Sequence, residues 1–119
     1  MEWYLDKSKP ISPQICEQVC MRIALGEFVP GERLLSVRET AVAAGVNPNT
    51  VQHAYEKLAE AGIVYSQPGS GWYVSEDITQ AKNTLKKLRE EKTEAYFTAM
   101  NALGSSPEET KKYVEEWKI

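Results

Sequence analysis

Histidine is almost missing from this chain, and thiols are few: His53 stands alone, and the cysteines are Cys16 and Cys20. Three such groups cannot furnish the four well-spaced ligands of a structural zinc site, so no metal is expected. The cysteines fall four residues apart in a helical pattern, a spacing that shares a helix face and strains a disulfide. They are expected to be small buried hydrophobes. Long apolar runs are lacking, which excludes a membrane span. The start, Met1-Glu2-Trp3-Tyr4-Leu5-Asp6, lacks the basic and apolar segments of a signal peptide. A cytoplasmic protein with no membrane partner is expected. Phosphate loops, nucleophile elbows and metalloprotease signatures do not occur. The pairs Glu90-Glu91, Glu108-Glu109 and Glu115-Glu116 sit in charge-rich helical stretches and read as solvated faces. Neither an enzyme nor a cofactor is expected. Positive charge is also short: 14 Lys and Arg face 17 Asp and Glu, a net charge of −3. Any nucleic-acid reading has to overcome that balance.

What is present suits a globular protein: 119 residues, 42% hydrophobic and 26% charged, enough for one domain and an appendage. Residues 1–11 read as an extended leader that lays Trp3, Leu5 and Ile11 on the domain. Ser12-Pro13 predicts a helix start, with Ser as N-cap. Ile15, Cys16, Val19, Cys20 and Ile23 form its apolar stripe, and Gly26 closes it. Val29-Pro30-Gly31-Glu32 reads as a tight turn. Ser36-Val37-Arg38-Glu39 is a capping-box sequence that opens a short helix ending at Gly45. Asn47 caps the next, with Pro48 in its first position. Val51, Ala54, Tyr55, Leu58 and Ala61 share one face, and Gly62 stops it. Residues 63–66 and 72–74 are β-prone, joined by Gln67-Pro68-Gly69-Ser70-Gly71 as a hairpin.

Residues 78–103 contain neither Gly nor Pro and predict one long amphipathic helix with Lys92 interrupting its stripe. Ser106-Pro107-Glu108-Glu109 then starts a last helix of about 12 residues, or ~18 Å at 1.5 Å per residue, through Trp117. The expected fold class is mainly α with a small β-hairpin: a winged helix-turn-helix over 1–76 and a two-helix tail over 77–119.

The glycine-bearing turn Gly45-Val46-Asn47, followed by a helix with a polar first turn, is the sequence form of a helix-turn-helix. In that motif the second helix offers its N-terminal end to base edges in the major groove. Several further elements occur in order: Pro30-Gly31-Glu32-Arg33-Leu34, Ser36-Val37-Arg38-Glu39, Val46-Asn47-Pro48-Asn49-Thr50-Val51, Ala54-Tyr55, Leu58, Gly62 and Gly69-Ser70-Gly71. Over residues 10–74 the chain resembles the DNA-binding domain of the GntR family of bacterial transcription regulators. Its short tail resembles the YtrA-type branch, whose C-terminal region serves for dimerisation.

The resemblance implies a homodimeric repressor on a palindromic double-stranded DNA operator, with the wing at Gly69–Gly71 near the minor groove. It implies a DNA-facing set of Arg33, Ser36, Arg38, Asn47, Pro48, Asn49, Thr50, Gln52, His53, Tyr55, Gly69, Ser70 and Gly71. Arg38 matches a family arginine that contacts guanine or phosphate, and Thr50 and Tyr55 are expected on phosphates. The chain departs from the family pattern in places. Leu35 replaces a usual proline, Pro48 replaces a frequent base-reading arginine, and Gln52 and His53 stand where basic residues are common. The wing residues Gln67, Pro68 and Ser70 carry no charge. Residues 1–76 hold six Lys and Arg against nine Asp and Glu, which keeps open an alternative, a winged-helix protein-interaction module. Dimerisation is expected through Ile78, Ala81, Leu85, Leu88, Ala95, Tyr96, Ala99, Met100, Leu103, Tyr113, Val114 and Trp117. The tail is expected to hold no ligand pocket of its own, and an effector is left open.

Overall fold

The computed structural model describes residues 2–119. Its elements are α1 (Ile11–Ala24), α2 (Val37–Ala44), α3 (Pro48–Glu60), β1 (Val64–Gln67), β2 (Gly71–Val74), α4 (Thr79–Ala102) and α5 (Pro107–Glu115). Contacts divide the chain into two compact units, one ending at Leu85 and the other spanning Lys86–Ile119.

In the first unit α3 packs on α1 and α2. Helical spacing puts Ile15, Val19, Cys20 and Ile23 of α1 on one buried face, against Val51, Ala54, Tyr55 and Leu58 of α3. Burying each large side chain contributes about 1.5–3 kcal/mol. Ser12 is not the cap of α1. The helix begins at Ile11, with Pro10 at the N-cap position and no side-chain cap. Pro13 then falls at the third helical position, where the missing N–H leaves no helical bond unmade. Gln14 instead ties this end to the leader: its amide donates to Pro10 O at 2.9 Å and Asp6 O at 3.0 Å.

The capping box of α2 forms as expected. Ser36 Oγ accepts from Glu39 N at 3.0 Å, and Ser36 N donates to Glu39 Oε1 at 3.1 Å. Hydrogen bonding from Ser36, its backbone N–H first, holds the Glu39 acid below its ordinary range. The helix stops at Gly45, whose φ of 68° is left-handed, a conformation that costs glycine little. Asn47 Oδ1 accepts from Asn49 N at 2.7 Å and caps α3, with Pro48 first.

β1 and β2 pair antiparallel with Val64 opposite Val74, Tyr65 opposite Tyr73, Ser66 opposite Trp72 and Gln67 opposite Gly71. The ladder takes in Gln67 and Gly71, which the sequence assigned to the connection, and leaves Ile63 as a buried residue before it. The segment Gly31–Leu34 runs along the other edge of β2. Gly31 N donates to Val74 O at 2.9 Å, Val74 N to Glu32 O at 2.8 Å and Leu34 N to Trp72 O at 2.8 Å. Arg33 and Tyr73 form an isolated antiparallel bridge.

The leader is bound to α1 by two glutamines. Gln18 Oε1 accepts from Tyr4 N at 3.1 Å while its amide donates to Tyr4 O at 2.8 Å. Gln14 Oε1 accepts from Asp6 N at 2.7 Å. Trp3, Leu5 and Ile11 pack on the core as expected, and the Arg22 guanidinium lies 5.4 Å from the Trp3 ring centroid.

Both cysteines are free. Cys16 Sγ donates to Ala54 O at 3.3 Å and Cys20 Sγ to Ala81 O at 3.2 Å. Burial, the larger cause, and the neighbouring Cys20 push the Cys16 thiol up to about 11.

In the second unit Ser106 caps α5 by accepting from Glu109 N at 3.2 Å. The Ser106 hydroxyl donates to the Glu109 carboxylate at 3.1 Å; the reciprocal backbone bond of a full capping box is absent. The helix has nine residues and ends at Glu115. Trp117 therefore lies beyond it and is not part of its face.

Candidate nucleic-acid interface

The turn Gly45–Asn47 delivers the chain into α3 with Asn47, Pro48, Asn49 and His53 exposed and Thr50 and Gln52 half-buried. The first turn of α3 contains no acid. The helix dipole gives that end partial positive charge, which matters where side-chain cations are scarce; the first-turn N–H groups themselves donate to Asn47. Asn47 spends its oxygen on the cap, and Gln52 donates to Glu56 Oε1 at 2.8 Å. Asn49, Thr50 and His53 make no side-chain hydrogen bond among the described residues.

Arg38 lies in the first turn of α2, exposed. Among the described residues neither Arg38 nor Arg33 forms an ion pair. Ser36 presents its hydroxyl to the α2 backbone. Lys7, which the sequence did not single out, donates from the leader to Gly45 O at 2.8 Å. A cation there complements the C-terminal carbonyls of α2. No local pattern signals it, because the partner lies 38 residues away.

Tyr55 corrects the sequence expectation. It is only 2% exposed. Its hydroxyl donates to Leu35 O at 2.9 Å and shares a 2.8 Å bond with Thr40 Oγ1. Its ring meets Trp72 edge to face at 5.6 Å between centroids. A hydroxyl so engaged is not open to a phosphate. Tyr55 instead ties α3 to α2 and to the wing.

The wing tip is Pro68–Ser70. Gly69 has a φ of 76° and open space where a side chain would begin. Gly71 differs: a Cβ there would lie 3.1 Å from Arg33 Nε. The arginine thus occupies the room that the missing side chain leaves.

The profile described as bacterial regulatory proteins of the gntR family matches residues 11–74. The chain belongs to the GntR family. As a GntR protein it is a winged helix-turn-helix DNA-binding transcription regulator. It is 37% identical over 109 residues to the uncharacterized HTH-type transcriptional regulator YhcF of Bacillus subtilis, covering 92% of this chain and 90% of that protein. It is 39% identical to the HTH-type transcriptional repressor YtrA of the same organism, over 68% of this chain and 69% of that one. A solved GntR family transcriptional regulator from Listeria monocytogenes superposes with a TM-score of 0.84 at 35% identity, covering 96% of this chain and all of that one.

The tail positions of this GntR protein divide into two groups. Ala81 is 1% exposed and Ile78 half-buried, both packed on the core of the first unit. Ala81 therefore drops out of the expected dimer face, because its own chain covers it. The boundary between compact units accordingly falls after Leu85 rather than after Glu76. Leu85, Leu88 and Met100 are half-buried, whereas Ala95, Tyr96, Ala99, Leu103, Tyr113, Val114 and Trp117 are exposed. The second unit also carries a groove of about 830 Å³ lined by Tyr96, Phe97, Val114, Lys92 and Lys111 among others. The expectation of a tail without a pocket of its own is not met, since α4 and α5 leave a cleft along their shared side. Phe97 was missed because it falls on neither of the two apolar stripes, the one through Ala95 and Ala99 and the one through Tyr96 and Met100. No helix among the described residues is long and apolar enough to cross a membrane.

Proposed function

We propose that this GntR protein is a homodimeric repressor of a palindromic operator. The N-terminal end of α3 enters the major groove and the wing tip Gly69–Gly71 approaches the minor groove. Arg38 reads a base edge or clamps a phosphate, since its planar fork matches guanine O6 and N7. Asn49, Gln52 and His53 face the groove, Thr50 and Arg33 take phosphates, and Asn47, Pro48 and Ser36 set the helix ends that aim them. Gly69, Ser70 and Gly71 let the wing come close to the backbone. The observation that carries this reading is an acid-free first turn of α3 with Pro48 and Asn49 exposed, together with an exposed Arg38 that has no ion-pair partner among the described residues. The repressor role is supported by the likeness to YtrA, which is named a repressor.

The tail, beyond Leu85, joins two copies. Its support is apolar surface left in water: Leu103 is 84% exposed, Trp117 74% and Tyr113 56%. A two-fold dimer suits two half-sites spaced by a whole turn of the duplex, about 34–36 Å.

The test is selection of bound fragments from genomic DNA with the purified protein. Enrichment of one two-fold symmetric sequence, lost in Arg38→Ala, supports the reading; no enrichment overturns it. The acidic balance of the winged unit favours one rival, a protein-interaction module. DNA binding through phosphates weakens as salt rises, even with few phosphates neutralised, whereas contact through apolar surfaces does not.

A further inference from the structure

The hairpin itself carries no cation: Val64–Gln67, the tip and Gly71–Val74 are all uncharged. Its outward face is nonetheless built. Tyr65 and Tyr73 are direct cross-strand partners, so both project from one side of the ribbon, opposite to the side that buries Val64 and Val74. Their rings stack at 5.6 Å between centroids with planes 20° apart, and Tyr65 stays 40% exposed. The Tyr73 hydroxyl is hydrogen-bonded to Ser70 Oγ at the tip.

Arg33 completes the row. Its bridge to Tyr73 sets it on the same side, on the far edge of β2. From there its guanidinium reaches over Gly71, two residues from Tyr73, where a Cβ would meet Nε at 3.1 Å and Nη2 at 3.4 Å. Glu39 feels the Arg33 charge but keeps its carboxylate on Ser36 N, so the guanidinium forms no ion pair.

We propose that Arg33, Tyr73 and Tyr65 form one strip that grips the sugar-phosphate backbone of duplex DNA, with Arg33 supplying the wing's positive charge from outside the hairpin. This rests on the DNA-binding reading above and adds two contact residues to it. The row offers a guanidinium, the Tyr65 hydroxyl and the Tyr73–Ser70 hydroxyl pair, which keeps one of its two protons to donate outward, and contains no carboxylate. That chemistry donates to phosphate oxygens and carries no base-reading pattern. It is continuous with the tip at Ser70, and the aromatic stack holds both hydroxyls in fixed positions. Gly71 then has a second duty besides backbone freedom: it leaves the space through which Arg33 passes.

The experiment titrates full-length wild type, Arg33→Gln and Tyr65→Phe with the selected operator and with a random-sequence duplex over a range of salt. Tyr65→Phe retains the stack, and thermal melts verify that both variants fold. Arg33→Gln is expected to weaken both duplexes by a similar factor, about tenfold or more. Its log–log salt dependence should be shallower by about 1 per subunit. Tyr65→Phe should weaken both by roughly two- to tenfold. Folded variants that bind like wild type with the same salt slope overturn the strip while leaving the DNA reading intact. Loss confined to the operator also overturns it, since that marks a base contact. A wild type that binds neither duplex brings down the DNA reading, and the strip with it.

Discussion

Tyr55 spends its hydroxyl on two partners, Leu35 O and Thr40 Oγ1, and burial raises its phenol above the ordinary range. Tyr55→Phe leaves both partners short of a hydrogen bond in a buried place. It should cost about 1–3 kcal/mol of stability, read as a lower denaturation midpoint in urea. Arg38 sits at the other extreme, exposed and without an ion pair. Arg38→Ala should leave the melting temperature nearly unchanged and weaken operator binding by about 1–3 kcal/mol. The Cys16 thiol makes a pH prediction. Its folded value of about 11 exceeds the ~8.5 of an exposed thiol. Below the unfolded value both states hold the proton and the full stabilisation is present. Above it the unfolded chain releases a proton that the folded one keeps. Stability should therefore fall as pH climbs from ~8.5 toward 11, and Cys16→Ala should flatten that limb of the urea-midpoint profile.

At the level of elements, the capping box of α2 is the clearest lever. Ser36→Ala removes the acceptor of the Glu39 N–H and should cost about 1 kcal/mol, measured by thermal melting. Signals of this local kind were the most legible in the sequence. Ser36 with Glu39, Asn47 with Pro48, and Gly45 each announce their role within a few residues, and the structure bears them out. What failed depended on distant partners. Ser12 looked like a cap because Ser-Pro suits one, but Gln14 and the leader secure that helix end. Tyr55 looked like a phosphate contact because its place in α3 says nothing about Leu35. Ala81 looked like dimer surface because a helical stripe does not announce whether its own chain or another covers it. The strand ends were off by a residue at each side of the tip, where backbone pairing with no side-chain signature decides. The strip of Arg33, Tyr73 and Tyr65 becomes visible only once the strand register and the bridge at the far edge of β2 are known.

Across the whole molecule, three measurements test assembly and charge. Sedimentation of the full chain at micromolar concentration should show a dimer. A chain ended after Leu85 should be a folded monomer. One ended after Glu76 should be less stable than that, because Ile78 and Ala81 no longer cover the core. The few cations of the winged unit should give a shallow salt dependence of operator binding, with a log–log slope of about −3 to −6 for a dimer at ~0.9 per phosphate. A slope near −10 would reveal a basic surface that the charge count does not contain.

The placement of Trp117 has an optical consequence. The protein holds three tryptophans. Trp3 and Trp72 are half-buried on the core of the first unit, while Trp117 stands in water beyond the end of α5. In the dissociated chain its indole should emit to the red of the other two and be quenched readily by iodide. On dilution through the dissociation range of a tail-mediated dimer, uncovering this one ring would shift the summed emission toward longer wavelength. A Trp117→Phe variant would lack that shift, so the intrinsic fluorescence of the chain supplies its own label-free gauge of association.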